Sequence, residues 1–181
     1  HLGYADRDAF FAELSHMPST VEAVLDPARM NAQAAKISMD GTLSPVPVPD
    51  YPGQSDTVYL TVVDGERNAV SLISSVYDSF GSTLTALKSG VVFQNRGCSF
   101  RVDQADHPNA YGPSKRPMHT IIPAMLTKRD AVQMSFGVMG ADYQPQGQAH
   151  VLTSMIDYGL DIQAALDLPR VHSSPKTGGV Q

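Results

Sequence analysis

Residues 57–63 read Thr-Val-Tyr-Leu-Thr-Val-Val, and from Val58 onward they form an apolar, mainly β-branched and aromatic run that predicts a β-strand. The polar segment Asp64–Asn68 then predicts a hairpin turn, and Ala69–Val76 returns as a second strand. The sequence therefore predicts a β-hairpin, with Thr57 immediately before its first strand.

A segment poor in regular structure precedes this hairpin. Between Asp40 and Gln54 glycine and proline recur at Gly41, Pro45, Pro47, Pro49, Pro52 and Gly53. Such a composition predicts an exposed, extended linker. The region before it is helical in pattern, with a capping-box signature from Ser19 to Glu22 and Asp26 as N-cap before Pro27.

The rest of the chain adds apolar runs and then helices. The apolar runs are Gly90–Phe93 and the stretch around Ile121-Ile122, and Val132–Val138 is a further predicted strand. The predicted helices are one through Val151–Ile156, closed by Asp157-Tyr158-Gly159, and a short one capped by Asp161. Strand runs followed by helices predict an α+β fold, in which helices pack on an antiparallel sheet.

Composition excludes several classes of function. The 181 residues are 42% hydrophobic, enough for one domain with a core, and the net charge of -5 does not favour a nucleic-acid partner. The apolar runs of the chain are shorter than the roughly 20 residues that span a bilayer, so we expect no membrane span. Cys98 is the single cysteine, so neither an intrachain disulfide nor a thiolate metal cage is expected.

Histidine spacing and the chain ends add two expectations. His107, His150 and His172 lack metal-binding spacing and are predicted to be surface or structural, so we expect no metal and no cofactor. The chain begins at His1 without an initiator methionine and ends on turn-like sequence at Gln181. We therefore expect it to be part of a longer protein.

Thr57 is a candidate nucleophile with a specific requirement. A threonine hydroxyl is weak unless a base is adjacent, and the α-amine of an N-terminal threonine can be that base. That amine is exposed only if the Asp56-Thr57 bond is cut, which a loose linker in front of a rigid strand permits. Threonine is also common at strand starts, so the residue alone does not establish catalysis.

Motifs over nearly the whole chain resemble one family. Thr57–Asp64, followed by Asn68-Ala69-Val70, resembles the start of the small subunit of gamma-glutamyltransferases, which begins at a threonine exposed by self-cleavage. Further matching segments are Tyr4-Ala5-Asp6-Arg7, Phe80-Gly81, Gly90 to Asn95, Gly112-Pro113-Ser114-Lys115-Arg116-Pro117, Gly137-Val138-Met139-Gly140 and Asp157-Tyr158-Gly159-Leu160.

This resemblance implies a fold and a division of the chain. The fold is the αββα sandwich of the N-terminal-nucleophile (Ntn) hydrolases, which this chain would cover in part. Residues 1–39 would be the helical end of a large-subunit region, residues 40–56 a linker with the self-cleavage site at Asp56-Thr57, and residues 57–181 the small-subunit catalytic region.

The resemblance also implies catalytic roles. Thr57 would be the nucleophile, and Ser75 stands where the family has a hydroxyl that supports it. Gly140 and Ala141 stand where backbone N–H groups form an oxyanion hole, a role that tolerates alanine because only the backbone donates.

The substrate-binding positions depart from the family pattern. Ser99 stands where gamma-glutamyltransferases have an acidic residue that binds the α-amino group of the substrate, and Arg96 is nearby. Tyr77 replaces a smaller polar residue, and His119-Thr120 replaces a pair of serines. These features resemble the glutaryl or cephalosporin acylase-like subgroup, whose acyl groups would carry a carboxylate that arginine can pair.

The sequence thus predicts a self-processing N-terminal threonine amidohydrolase acting on small gamma-glutamyl-like or glutaryl-like amides, with hydrolysis favoured over transfer. A true gamma-glutamyltransferase and an unprocessed, non-catalytic binding homologue are the alternatives. The predicted protein partner is the large-subunit segment of the same precursor, and a homodimer of such heterodimers is compatible with the family. Both a cytoplasmic and an exported location stay open.

Overall fold

The computed structural model describes residues 1–41 and 55–171, with only the backbone at 55 and 56. Most of the predicted linker and His172 lie outside the described residues. The chain divides into two compact units, one containing residues 1–41 and 97–119 and the other residues 55–96 and 120–171. In the described ranges, no helix is both long and apolar enough to cross a membrane.

The first unit begins with short helices. They are α1 (Leu2–Phe10), α2 (Val21–Val24) and α3 (Pro27–Ala34), with a 3-10 turn at Leu14–His16. The predicted cap of α3 is confirmed, because Asp26 Oδ1 accepts from the Arg29 N–H at 2.9 Å. The capping box at Ser19 is wrong, since Thr20 caps α2 and its Oγ1 accepts from the Ala23 N–H at 3.2 Å. Thr20 is the last extended residue before the helix, which is where a cap must lie.

Polar side chains organise the remainder of this unit. The Arg116 side chain and backbone both donate to Glu13, at 2.8 and 3.0 Å. The backbone N–H and then the side chain of Arg116 lower the pKa of Glu13 below its usual value. The buried Asn109 side chain donates to the Ser99 carbonyl at 2.8 Å and accepts from the Met118 N–H at 2.9 Å. These bonds tie the backbone at Ser99 and at Met118 to Asn109.

The second unit contains two antiparallel strand pairs among its described residues. Its elements are β1 (Ser55–Val63), β2 (Ala69–Asp78), β3 (Ala124–Lys128), β4 (Ala131–Phe136), α4 (Tyr143–Ile156) and α5 (Ile162–Asp167). β1 pairs with β2 and β3 pairs with β4, so the structure is of the mixed helix-and-strand, α+β type. The predicted end of α4 is confirmed by Gly159 at φ +68°, and the predicted cap of α5 by Asp161 Oδ1 accepting from the Ala164 N–H at 2.8 Å.

Two of the apolar runs in the sequence do not form strands. Gly90–Phe93 folds back on the preceding loop through a single bridge between Thr85 and Val92. Gly90 has φ +71°, a left-handed turn conformation that interrupts extended backbone. Ile121 and Ile122 precede β3, which begins only at Ala124.

The predicted hairpin turn is confirmed, and one carboxylate organises it. Asp64 Oδ1 accepts from the N–H groups of Glu66 and Asn68 at 2.9 and 2.8 Å, while Oδ2 accepts from Asn68 Nδ2 at 2.8 Å. The side-chain and then the backbone bond from Asn68 lower the pKa of Asp64 below its usual value. The turn therefore sets the register in which β2 returns beside β1.

One face of β1 packs against β4 and the loop after it. Tyr59 Oη lies 3.2 Å from Ser135 Oγ, and Thr61 Oγ1 donates to the same atom at 2.7 Å. A Cβ atom at Gly137 would lie 2.5 Å from the Tyr59 ring, so only glycine lets this backbone approach so closely. Because side chains alternate along a strand, Thr57 shares the face of Tyr59 and Thr61.

Candidate active site

The predicted cleavage site coincides with a register shift in the hairpin. Thr57 pairs with Ser75 and Ser55 pairs with Asp78, so two residues of β2, Val76 and Tyr77, lie opposite Asp56 alone. A β-bulge of this kind redirects side chains and interrupts the ladder hydrogen bonds. The strand also begins before Val58, its predicted start, because the backbone pairs across the shift as far as Ser55.

The predicted nucleophile is hydrogen-bonded to its predicted supporting hydroxyl. Thr57 Oγ1 donates to Ser75 Oγ at 3.2 Å, and the Tyr77 N–H donates to the same oxygen at 2.9 Å. These bonds use both acceptor lone pairs of the Ser75 hydroxyl. Ser75 is consequently fixed between the bulge and Thr57, which is itself only partly exposed.

Tyr77 has a strained backbone that accompanies this arrangement. Its φ is +84°, a left-handed value that costs a bulky residue about 1–3 kcal/mol. The side chain is 7% exposed, and its ring lies under the Arg96 guanidinium with 5.0 Å between Cζ and the ring centroid. Arg96 is 6% exposed and donates through Nη1 to Thr120 Oγ1. Three predicted substrate-binding residues, Tyr77, Arg96 and Thr120, therefore form one cluster.

The predicted oxyanion-hole residues lie just before α4. Gly140 has φ +120° and Ala141 has φ +48°, and their carbonyl groups accept from the Tyr143 and Gln144 N–H groups. The two residues form a turn directly before a long helix, whose N-terminus carries the positive end of the helix dipole. The Gly137 backbone, three residues earlier, contacts Tyr59 on β1.

The other two predicted binding residues belong to the first unit. Ser99 is half-buried and its carbonyl accepts from Asn109 Nδ2 at 2.8 Å, whereas His119 is exposed. Among the side chains that the structure describes, those of residues 1–41 and 57–171, no group of three or more His, Cys, Asp or Glu could hold a metal ion.

Sequence reasoning missed one pair of residues beside the cluster. Asp78 and Asn95 bond to each other through their side chains, next to Tyr77 and Arg96. Each is adjacent in sequence to a predicted binding residue, and Asn95 also ends one of the segments that resemble the family. The bulge at Val76 and Tyr77 was not predictable from local sequence, because it depends on the pairing of β1 with β2.

Comparison with known proteins defines the class. The chain matches the family described as Gamma-glutamyltranspeptidase over residues 1–181. This protein therefore belongs to the gamma-glutamyltranspeptidase family.

Individual relatives place it more closely within that family. The glutathione hydrolase-like YwrD proenzyme of Bacillus subtilis and the oxamate amidohydrolase proenzyme of Klebsiella pneumoniae are each 38% identical over 167 residues, which is 92% of this chain and 31% of theirs. The crystal structure of cephalosporin acylase from Bacillus halodurans matches with a TM-score of 0.83 and 40% identity, over 96% of this chain and 31% of that one. The chain thus spans about a third of the length of these relatives.

If Ser75 supports a nucleophilic Thr57 as the sequence predicts, replacing Ser75 by alanine in the full-length protein should slow self-cleavage and amide turnover by up to about 100-fold, because the attacking oxygen loses its fixed orientation. The variant leaves Thr57 Oγ1 and the Tyr77 N–H without their shared acceptor, whereas Ser75→Thr keeps the hydroxyl and should retain most of both rates. Gel electrophoresis measures the rate of self-cleavage, and hydrolysis of an anilide substrate measures the rate of amide turnover. Equal rates in Ser75→Ala and the parent would contradict a supporting role for this hydroxyl.

Proposed function

We propose that the full-length protein is a self-processing N-terminal threonine amidohydrolase with the Ntn-hydrolase sandwich fold. It would cleave gamma-glutamyl-like or glutaryl-like amides, with hydrolysis favoured over transfer. The observation that carries this proposal is the hydrogen bond from Thr57 Oγ1 to Ser75 Oγ, next to a bulge opposite Asp56.

In this proposal Thr57 carries out the self-cleavage. Its Oγ1 attacks the carbonyl carbon of Asp56, and the peptide nitrogen leaves with a proton as the α-amine of Thr57. Water then hydrolyses the resulting ester, which frees the Asp56 carboxylate and the Thr57 hydroxyl. The Ser75 hydroxyl supports this step, because its bond to Thr57 Oγ1 holds the attacking atom in one orientation.

The freed amine then serves as the base for turnover. It takes the proton of Thr57 Oγ1 as this oxygen attacks the substrate amide, and later gives it to the leaving amine. The N–H groups of Gly140 and Ala141 stabilise the oxyanion of the tetrahedral intermediate. Water hydrolyses the acyl-enzyme ester and regenerates Thr57.

The cluster of Tyr77, Arg96 and Thr120 supports an acyl group that carries a carboxylate. Stacking on Tyr77 and the bond to Thr120 hold the guanidinium rigid. Arginine pairs carboxylates through two parallel bonds. One relative is named for oxamate, an amide with a carboxylate and no ammonium group.

Ser99 and His119 are the other proposed binding residues, and Ser99 bears on the choice between hydrolysis and transfer. A serine at position 99 offers no negative charge to an ammonium group, neither that of a gamma-glutamyl donor nor that of an amino-acid acceptor. Water is then the favoured acceptor. The large-subunit region of the same precursor is the proposed partner, because the relatives are proenzymes about three times the length of this chain.

In purified full-length protein, Thr57→Ala should remain a single chain and lose amide turnover by at least about a thousandfold, because it removes the attacking oxygen. Thr57→Ser retains the hydroxyl and should still cut. Gel analysis and anilide hydrolysis measure both properties. A parent protein that stays uncut and behaves like Thr57→Ala would instead identify a non-catalytic binding homologue.

The parent enzyme should hydrolyse glutaryl p-nitroanilide with at least about tenfold higher kcat/KM than the gamma-glutamyl compound, a difference of about 1.4 kcal/mol. The two substrates differ only in the α-ammonium group. Arg96→Gln should lower the glutaryl rate more than the rate with pentanoyl p-nitroanilide, which lacks the carboxylate. A strong preference for the gamma-glutamyl compound would contradict the proposed lack of ammonium recognition at Ser99 and identify a glutathione hydrolase or transpeptidase, whereas equal losses of the glutaryl and pentanoyl rates in Arg96→Gln would contradict the role of Arg96.

A further inference from the structure

Asp78 and Asn95 form a reciprocal pair at the end of β2. The Asp78 N–H donates to Asn95 Oδ1 at 3.0 Å, and Asn95 Nδ2 donates to Asp78 Oδ2 at 2.6 Å. The Asn95 N–H also donates to the Val76 carbonyl at 3.1 Å. Asp78 and Asn95 are both half-buried, which limits competition from water for these bonds. One residue is therefore bonded to both chain neighbours of Tyr77.

This pair constrains the stack of Arg96 on Tyr77. Asn95 directly precedes Arg96, and Val76 and Asp78 directly flank Tyr77. Fixing both flanks of Tyr77 to the residue before Arg96 leaves the ring and the guanidinium little freedom to separate, and their centres lie 5.0 Å apart. The short bond to the Asp78 carboxylate is charge-assisted, the stronger kind of hydrogen bond.

We propose that Asp78 and Asn95 are positioning residues, which hold Arg96 over Tyr77 in the orientation that pairs the acyl carboxylate of the substrate. The inference rests on the proposed function for the role of Arg96. Neither residue touches the substrate. Their effect is on specificity, because a binding group misplaced by about 1 Å loses much of its contribution.

The test exchanges the two side chains in the full-length enzyme. Asn95→Asp sets a carboxylate against Asp78 and breaks the pair, whereas the double variant Asp78→Asn/Asn95→Asp restores two complementary bonds. The double variant has the net charge of the parent, and Asn95→Ala, which removes both side-chain bonds without adding a carboxylate, separates the loss of the pair from the added charge. Asn68→Asp is the matched control, because it makes the same change opposite Asp64 at the turn end of the same hairpin.

The readout is the ratio of kcat/KM for glutaryl and pentanoyl p-nitroanilide, which does not depend on the fraction of active enzyme. The ratio should fall at least about tenfold in Asn95→Asp and recover to within about threefold of the parent in the double variant. Asn68→Asp should leave it unchanged. An unchanged ratio in Asn95→Asp, or no recovery in the double variant, would overturn the inference.

Two further measurements keep the outcome decisive. If Asn95→Asp does not fold, Asn95→Ala removes both side-chain bonds without repulsion and should lower the ratio in the same direction. Phenylglyoxal labelling of Arg96, read by peptide mass spectrometry, should rise in the folded single variant and fall back in the double variant. If the parent enzyme shows no preference for the glutaryl compound, the proposed substrate is refuted. The labelling of Arg96 then tests the positioning role by itself, and labelling that is unchanged in Asn95→Asp refutes that role.

Discussion

The register shift between β1 and β2 at Asp56 is the constraint on which the geometry around Thr57 depends. One extra residue in β2 turns the Tyr77 N–H toward Ser75 Oγ, the oxygen that also accepts from Thr57 Oγ1. In a regular strand without the bulge, the Tyr77 side chain would lie on the other face of β2 from the one it occupies here. Its N–H would then be directed toward β1, as a partner in the hydrogen bonds between the two strands. The shift therefore sets the orientation of the proposed nucleophile and of the proposed binding cluster together.

Orienting both the proposed nucleophile and the proposed binding cluster through one bulge has an energetic cost. Tyr77 adopts φ +84°, and Arg96 is a buried cation. A buried cation is tolerated only where aromatic or polar groups replace its water, as the Tyr77 ring and Thr120 hydroxyl do here. Strain and buried charge of this kind concentrate at functional sites, where function depends on a fixed geometry even though that geometry lowers local stability. The Asp78–Asn95 pair lies where it can hold that geometry.

Local features of the fold could be read from the sequence, and non-local ones could not. The hairpin turn at Asp64 and the caps at Asp26 and Asp161 depend on bonds within a few residues, and all were predicted. The error at Ser19 was one residue, because Thr20 offers the same chemistry. The Thr57–Ser75 contact was anticipated only through family resemblance. The bulge and the Asp78–Asn95 pair arise from pairing between segments well apart in sequence, which no local pattern encodes. The fold-back at Gly90 is local, and the glycine that makes its turn was the available signal.

The most direct test of Thr57 as an N-terminal nucleophile is the mass of the acyl-enzyme. Purified full-length enzyme is quenched in acid during turnover of glutaryl p-nitroanilide, and its fragments are analysed by intact and tandem mass spectrometry. The account predicts a fragment that begins at Thr57 and carries one glutaryl group as an ester on that residue. A chain uncut at Asp56-Thr57, or a glutaryl group on any other residue, would contradict it.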